Sequence, residues 1–360
     1  MKKIFLFLLA ISFCIVGYSQ EKDSVSSNEL TFFPLPVVYY TPETRFAFGA
    51  VGLFSFRFNQ ELSSSRNSQF QIGTAFTQEN QLLFYAPFQL YYNNEKFYSF
   101  GELGYYKYSY KFFGVGNEVP DEYEEVYNVN FSRIRLNFMQ LVKPQLYLGV
   151  RYWFDDYDVV KREEQSILGN NSVVGASGGI VSSLGLISLY DSRDNYNYPS
   201  KGTYLEFLVL PNSKMLGSDF EFTRVSVDYV KYLSKGKNIL ALNAFGVSIL
   251  GEAPFNELAF IGGRSKMRGY YEGRFRDRNL MMAQAEYRRN IFWRFGIVAF
   301  AGYGVVAREV NEFQLGNIKP SGGLGIRYRL DEEEKINIRI DFGYGEGDNS
   351  GVYVTIGEAF

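Results

Sequence analysis

The sequence predicts an all-β protein, a closed antiparallel barrel of sixteen strands that cross a membrane. Three observations predict this fold class: apolar and polar residues alternate along many segments, aromatic residues make up 18% of the 360 residues, and no apolar run after the N-terminus is long enough for a spanning helix. The chain has 34 Phe and 29 Tyr but a formal net charge of only −2. This composition is typical of a lipid-facing barrel wall.

The N-terminus has the pattern of a secretory signal peptide over residues 1–19. Two lysines precede an apolar run at 4–16, and cleavage is expected near Ser19. Cys14 offers a lipoprotein as the alternative, but the bulky residue before it does not suit lipid attachment. Residues 20–30 then form a short polar tail, expected to be disordered in the periplasm, and the barrel occupies 31–360.

Composition also excludes several kinds of site. The chain has no histidine, and its one cysteine lies in the expected signal peptide. Disulfides, zinc sites with Cys/His ligands and histidine-dependent catalysis are therefore excluded from the mature chain. We expect no catalytic, cofactor or metal site, and hence no enzyme.

Alternation with a period of two residues identifies the strands one by one. In 336–344, for example, isoleucines and aromatic residues occupy one face, while Asn337, Arg339 and Asp341 occupy the other. The sixteen predicted strands are 32–41, 44–58, 67–78, 80–91, 96–109, 125–138, 144–155, 178–190, 202–210, 218–232, 238–250, 279–289, 292–306, 320–330, 335–345 and 350–360. An even number fits a bacterial barrel whose closure leaves no exposed edge.

The lengths of the connections support this count. The long ones are 110–124, 156–177, 251–278 and 307–319, and all four fall on the same side of the barrel. With the N-terminus in the periplasm, that side is the outer one, as expected for long external loops and short periplasmic turns.

The lumen-facing positions carry charges of both signs. The basic ones are Arg133, Arg135, Arg151, Arg224, Arg288, Arg327, Arg329 and Arg339, and the acidic ones are Glu206, Asp228, Glu286 and Asp341. Such side chains either line a wet interior or hold a loop in place.

Residues 262–279 form the most distinctive segment, with six basic residues, two acidic residues and four glycines but no apolar periodicity. A solvated glycine-rich surface loop would have this composition. However, its Met-Arg-Gly-Tyr core at 267–270, the Gln-Ala-Glu-Tyr-Arg at 284–288 and the Phe-Gly-Val-Gly-Asn at 113–117 together resemble the BamA/TamA outer-membrane assembly family, or bacterial surface antigen family. The turn from Asp191 to Gly202 resembles that family as well, although its aspartates also suit simple turn chemistry rather than a metal site.

The resemblance implies that the Arg-Gly-Tyr loop folds back into the barrel from the outer side. Arg268, Gly269 and Tyr270 would anchor this infolded outer loop, with Glu286 on the twelfth strand as the partner of Arg268. The family commonly carries Phe-x-Asp-x-Gly on the next strand, where this chain has Gly302 in place of the aspartate. Arg268 then rests either on Glu286 alone or on another inward acid.

The last strand resembles the C-terminal signal by which outer-membrane barrels are handed to the assembly machinery. It alternates and ends on an aromatic residue, and the positions concerned are Tyr353, Ile356, Gly357 and Phe360. The barrel assembly machinery and outer-membrane lipids are therefore expected partners, with other envelope proteins as further candidates.

Two functions stay open at this stage, and an outer-membrane enzyme is a third only if its chemistry uses carboxylates and hydroxyls without histidine. The resemblance implies a part in outer-membrane protein assembly, insertion or translocation, through a weakly paired seam between the first and last strands. The residues 20–30 are too few for a POTRA domain, so we expect a barrel-only member. The alternative is a passive pore or structural barrel plugged by the 251–278 loop. The basic stretch 264–278 also suits nucleic acid, but export and its interleaved acids argue against such a partner.

Overall fold

The computed structural model describes residues 30–59, 61–62, 65–120, 123–162, 164–332 and 334–360. The expected signal peptide at 1–19 and all of the expected tail except Leu30 lie outside these residues. In the described part of the chain, no helix combines the length and the apolar character needed to cross a membrane.

Sixteen antiparallel strands form one closed barrel in which each strand lies beside its neighbours in sequence and the first meets the last. The first nine are β1 (Thr31–Thr41), β2 (Arg45–Phe56), β3 (Ser68–Thr77), β4 (Leu82–Tyr92), β5 (Phe97–Phe112), β6 (Glu125–Lys143), β7 (Leu146–Lys161), β8 (Gly178–Asp191) and β9 (Gly202–Asn212). They are followed by β10 (Glu221–Lys235), β11 (Asn238–Glu252), β12 (Ala259–Ile261), β13 (Phe275–Asp277), β14 (Asn279–Phe292), β15 (Phe295–Ala307), β16 (Lys319–Arg329), β17 (Asn337–Gly345) and β18 (Ser350–Ile356). The short strands β12 and β13 pair only with each other, inside the connection from β11 to β14.

All sixteen predicted strands are present, but some of their bounds were wrong. β6 was predicted to end at 138 and β7 at 155, whereas they continue to Lys143 and Lys161. The three aspartates within 155–158 interrupt the alternation of apolar and polar residues, and for this reason the prediction ended β7 at 155. Pairing of β7 with β6 and β8 continues through this run, which satisfies its backbone groups.

The predicted last strand was wrong at its end. It was expected to run to Phe360, but β18 ends at Ile356. Gly357 takes a φ of 86°, a left-handed conformation that ends an extended strand. The residues after it contact side chains of other wall strands, as Glu358 accepts from Arg327 at 2.8 Å.

The barrel wall separates an apolar outer face from a polar, tightly packed interior. In β14, Met281 is 57% exposed on the outer face, whereas Glu286 and Arg288 are completely buried on the inner one. Arginines are among the largest fully buried side chains of the described residues. The interior is therefore held by charged and aromatic groups as well as by apolar ones.

The four long connections lie where the sequence predicted them, after β5, β7, β11 and β15. The longest joins β11 to β14 and contains the β12–β13 pair. Its segment 262–274, between these two short strands, is called here the inner loop.

Candidate functional site

The inner loop packs against inward-facing side chains of the barrel wall. Arg268 is only 1% exposed, and its guanidinium donates to Glu286 of β14 and to Asp341 of β17. The same group lies 3.6 Å from the centroid of the Phe300 ring on β15. The residue that the sequence predicted as the loop anchor thus contacts three strands.

The contacts of Arg268 belong to a larger arginine cluster. Arg288 donates to Glu286 at 2.7 Å, and Arg327 donates to Asp341 at 2.5 Å. The cluster consists of Arg268, Arg288, Arg327, Arg339, Glu286, Asp341 and Glu358, all at most 4% exposed. Since buried charges are stable only when they are paired, these groups depend on one another.

Asp341 is the second acid that the sequence could not assign. It was one of four inward acids, and each of them has a basic partner in the structure. Glu206 meets Arg151 at 2.9 Å, and Asp228 meets Lys266 of the inner loop at 2.6 Å. The second acid lies three strands from Glu286, not on the strand next to it.

Gly302, which stands where the family commonly carries an aspartate, has no room for a side chain. A Cβ added there would lie 2.9 Å from Cβ of Gln284 and 3.2 Å from Sδ of Met267. The inner loop itself, through Met267, therefore fills the space in which the expected acid would stand.

Gly269 holds the loop backbone close to the wall. It has a φ of 116°, and its N–H donates to the Tyr353 hydroxyl of β18 at 3.1 Å. An added Cβ would lie 2.6 Å from the backbone carbon of Tyr344. Both the conformation and the contact require glycine at this position.

Tyr270 ties the loop to the ends of two strands. Its side chain is fully buried, and its hydroxyl donates to the Pro320 carbonyl at 2.6 Å and accepts from the Glu346 N–H at 2.8 Å. The structure therefore brings together the four residues that the sequence singled out: Arg268, Gly269, Tyr270 and Glu286.

A pair of acids meets at the other end of the inner loop. The backbone N–H of Glu272 donates to the Glu43 carboxylate at 3.0 Å, next to the turn between β1 and β2. Burial, together with the Glu43 charge, raises the pKa of Glu272 to about 7, although Arg264, Arg133 and Arg276 oppose this shift.

The predicted C-terminal signal residues do not share one face. Tyr353 is fully buried in the lumen, whereas Ile356 is 62% exposed on the outer face. Beyond Gly357, the Phe360 carbonyl accepts a hydrogen bond from Arg288 at 2.6 Å, and the Phe360 side chain packs on a small apolar cluster of β10 and β11.

The seam between β1 and β18 is the least paired junction of the barrel wall. β1 pairs with β2 along its whole length, from Thr31 to Thr41. With β18, it shares the single aligned pair Tyr40 and Val354. Most backbone groups along this side of β1 therefore lack a strand partner.

The other family-like motifs form a turn and a contact between two loops. Asp194 accepts from the N–H groups of Ser200 at 2.8 Å and Lys201 at 3.0 Å, which confirms turn chemistry for this acid. In the predicted Phe-Gly-Val-Gly-Asn motif, Gly116 donates to the Arg276 carbonyl at 2.8 Å, so the loop after β5 packs on β13.

Comparison with solved structures places this architecture among known barrels. BamA from Haemophilus ducreyi lacking POTRA domains 1–3 is similar over 92% of this chain and 70% of that one, with 14% identity and a TM-score of 0.59. CdiB from Acinetobacter baumannii matches over 90% and 59% (14% identity, TM-score 0.59), and CdiB from Escherichia coli over 92% and 63% (10% identity, TM-score 0.60). At these identities the likeness shows the fold alone, and this chain spans less than two thirds of either CdiB.

No curated protein sequence matches the chain significantly. A family model does match, the Omp85 superfamily domain, and it covers residues 52–360. It includes the inner loop, the arginine cluster and every strand from β3 onward. Proteins of this family are outer-membrane barrels that act as transporters or assembly factors rather than as enzymes. The chain belongs to the Omp85 superfamily and is an outer-membrane β-barrel.

Proposed function

We propose that this barrel takes part in the assembly, insertion or translocation of proteins at the outer membrane, and that the seam between β1 and β18 is its working element. The single pair of Tyr40 and Val354 supports this proposal most directly. A strand edge with unpaired N–H and C=O groups can accept an incoming strand by β-augmentation. A client strand would thus replace few existing hydrogen bonds.

A reversible disulfide across the seam tests the proposal. In Tyr40→Cys/Val354→Cys, oxidation would lock the only aligned pair. The assay measures how fast an added, unfolded outer-membrane protein folds into lipid vesicles that contain this barrel. We expect the oxidised variant no longer to accelerate that folding, and we expect reduction to restore the acceleration. The matched control is Val209→Cys/Val225→Cys, which links β9 and β10 within fully paired wall.

The same experiment separates the passive barrel from the assembly factor. A passive pore or structural barrel would give no acceleration of folding in any redox state. Full activity of the oxidised seam variant would show that strand exchange at β1 and β18 is not the route. The packing of the inner loop inside the lumen suits either function, so it does not decide between them.

A further inference from the structure

A cavity of about 270 Å³ lies in the lumen between the inner loop and the wall formed by β5, β6, β7 and β10. Its polar lining is Arg133, Arg135, Arg224, Arg276, Asn256, Glu257 and Glu272. Its aromatic lining is Tyr110, Tyr127, Trp153, Tyr157 and Phe255. The volume lies just below the range of about 300–1,000 Å³ that holds drug-sized ligands, so it suits a smaller molecule.

The cavity carries an excess of positive charge. Arg133 and Arg135 share the carboxylate of Asp155, which is not among the lining residues; the first lies 3.0 Å from it. Arg224 is different, because among the described residues no carboxylate lies within ion-pair distance of it. Its one hydrogen bond goes to the Glu257 backbone carbonyl, at 3.2 Å. This guanidinium therefore faces the cavity with free donors.

Two further groups at the cavity lack hydrogen-bond partners within the part of the chain that the structure describes: the Glu257 carboxylate lacks donors, and the Asn256 side-chain amide lacks an acceptor. The Glu257 side chain is 8% exposed, yet its carboxylate has only one described contact, with Arg135 at 3.9 Å. Nδ2 of Asn256 is buried without an acceptor. Buried polar groups in this state cost free energy unless a water or a ligand satisfies them. The site therefore calls for a molecule with an anionic group, for Arg224, and hydroxyl donors, for Glu257.

We propose that this cavity binds a small hydroxylated carboxylate, a class to which the hexuronates belong. Its carboxylate pairs with Arg224, its hydroxyls donate to Glu257 and accept from Asn256, and its C–H faces pack on the aromatic lining. This site is separate from the seam between β1 and β18, so it stands whether or not the barrel inserts proteins.

Titration calorimetry on the folded barrel in detergent tests the site with three compounds that share a six-membered ring. D-Glucuronate carries both the carboxylate and the hydroxyls, glucose lacks the carboxylate, and cyclohexanecarboxylate lacks the hydroxyls. We expect saturable binding of glucuronate, at least about tenfold tighter than that of either other compound. No binding of glucuronate overturns the proposal. If cyclohexanecarboxylate binds as tightly as glucuronate, the hydroxyls are not recognised and the proposal is wrong. If glucose binds as tightly, the carboxylate is not recognised by Arg224 and the proposal is wrong as well.

Variants locate the binding. Arg224→Gln and Glu257→Gln should each weaken glucuronate binding at least about tenfold, and Asn256→Ala provides a milder third variant if either fails to fold. Arg329→Gln is the matched control, since Arg329 bonds to Asn337 outside the cavity and should leave binding unchanged. Equal loss in the control, or unchanged affinity in all three cavity variants, would place the ligand elsewhere.

Discussion

The contacts of Arg268 allow a quantitative prediction for Arg268→Ala. The side chain makes two charge-assisted hydrogen bonds, to Glu286 and Asp341, each of which contributes about 1.5–3 kcal/mol. Neither acid is left fully unpaired after the change, because Arg288 and Arg327 still donate to them. We therefore expect a loss near the lower limit for a broken buried pair, about 3 kcal/mol in the free energy of unfolding.

The measurement is urea unfolding of the barrel in lipid vesicles. The folded fraction is read from SDS gels of unboiled samples, in which folded and unfolded barrels migrate differently. Lys266→Ala is the matched control in the same loop. Its partner is also a lumenal acid, Asp228, but both side chains are about one quarter exposed. Solvent screens such a pair, so this change should cost about 1 kcal/mol or less.

A double-mutant cycle decides whether the contact itself is responsible. Combining Arg268→Ala with Asp341→Asn should give a coupling of about 0.5–3 kcal/mol, because each change removes the same contact. Two results would refute the reasoning. One is a cost for Arg268→Ala no larger than that of Lys266→Ala, and the other is strict additivity with Asp341→Asn.

Three further predictions concern the inner loop. Gly302→Asp should lower the urea midpoint even when Arg268 is present, because its side chain must displace Met267; a stabilised variant would contradict this. Gly343→Ala should expose the loop to protease, since an added Cβ would lie 2.6 Å from the loop backbone; unchanged cleavage would show that the wall yields. Burial raises the pKa of Glu272 from 4.5 to about 7. Between pH 4.5 and about 7, the folded chain therefore keeps a proton on Glu272 that the unfolded chain has released. The free energy of unfolding should therefore fall as the pH rises from about 4.5 to about 7, and Glu272→Gln should reduce this slope; an unchanged slope would exclude Glu272 as its source.

The strands could be predicted because each one is identified by a pattern within its own sequence. A lipid-facing wall forces a change of side-chain character at every second residue, and that period is visible in one strand without its neighbours. Two of the failures have a clear cause: polar residues occupy both faces at 155–158, and one glycine conformation ends the last strand at Gly357.

The arginine cluster was only partly predictable because its cause is not local. The sequence identified Arg268 and Glu286 through their resemblance to a family and named Asp341 as one of several inward acids. It could not choose among those acids, since the choice depends on how the loop crosses the lumen between β14 and β17. The cavity beside Arg224 could not be predicted for the same reason, because its lining residues come from strands and a loop that are far apart in sequence.

The inner loop contacts β18, the strand that closes the seam with β1. Gly269 donates to Tyr353, which neighbours Val354, the residue that closes the seam. In the same strand, Thr355 accepts from Nε of Arg339, and Nη2 of Arg339 donates to the Arg264 carbonyl in the loop at 2.8 Å. β18 thus contacts the loop directly through Tyr353 and indirectly through Thr355 and Arg339. If β18 moves away from β1, it must therefore either carry the loop with it or break these buried contacts, and Arg339 belongs to the same arginine cluster that holds Arg268.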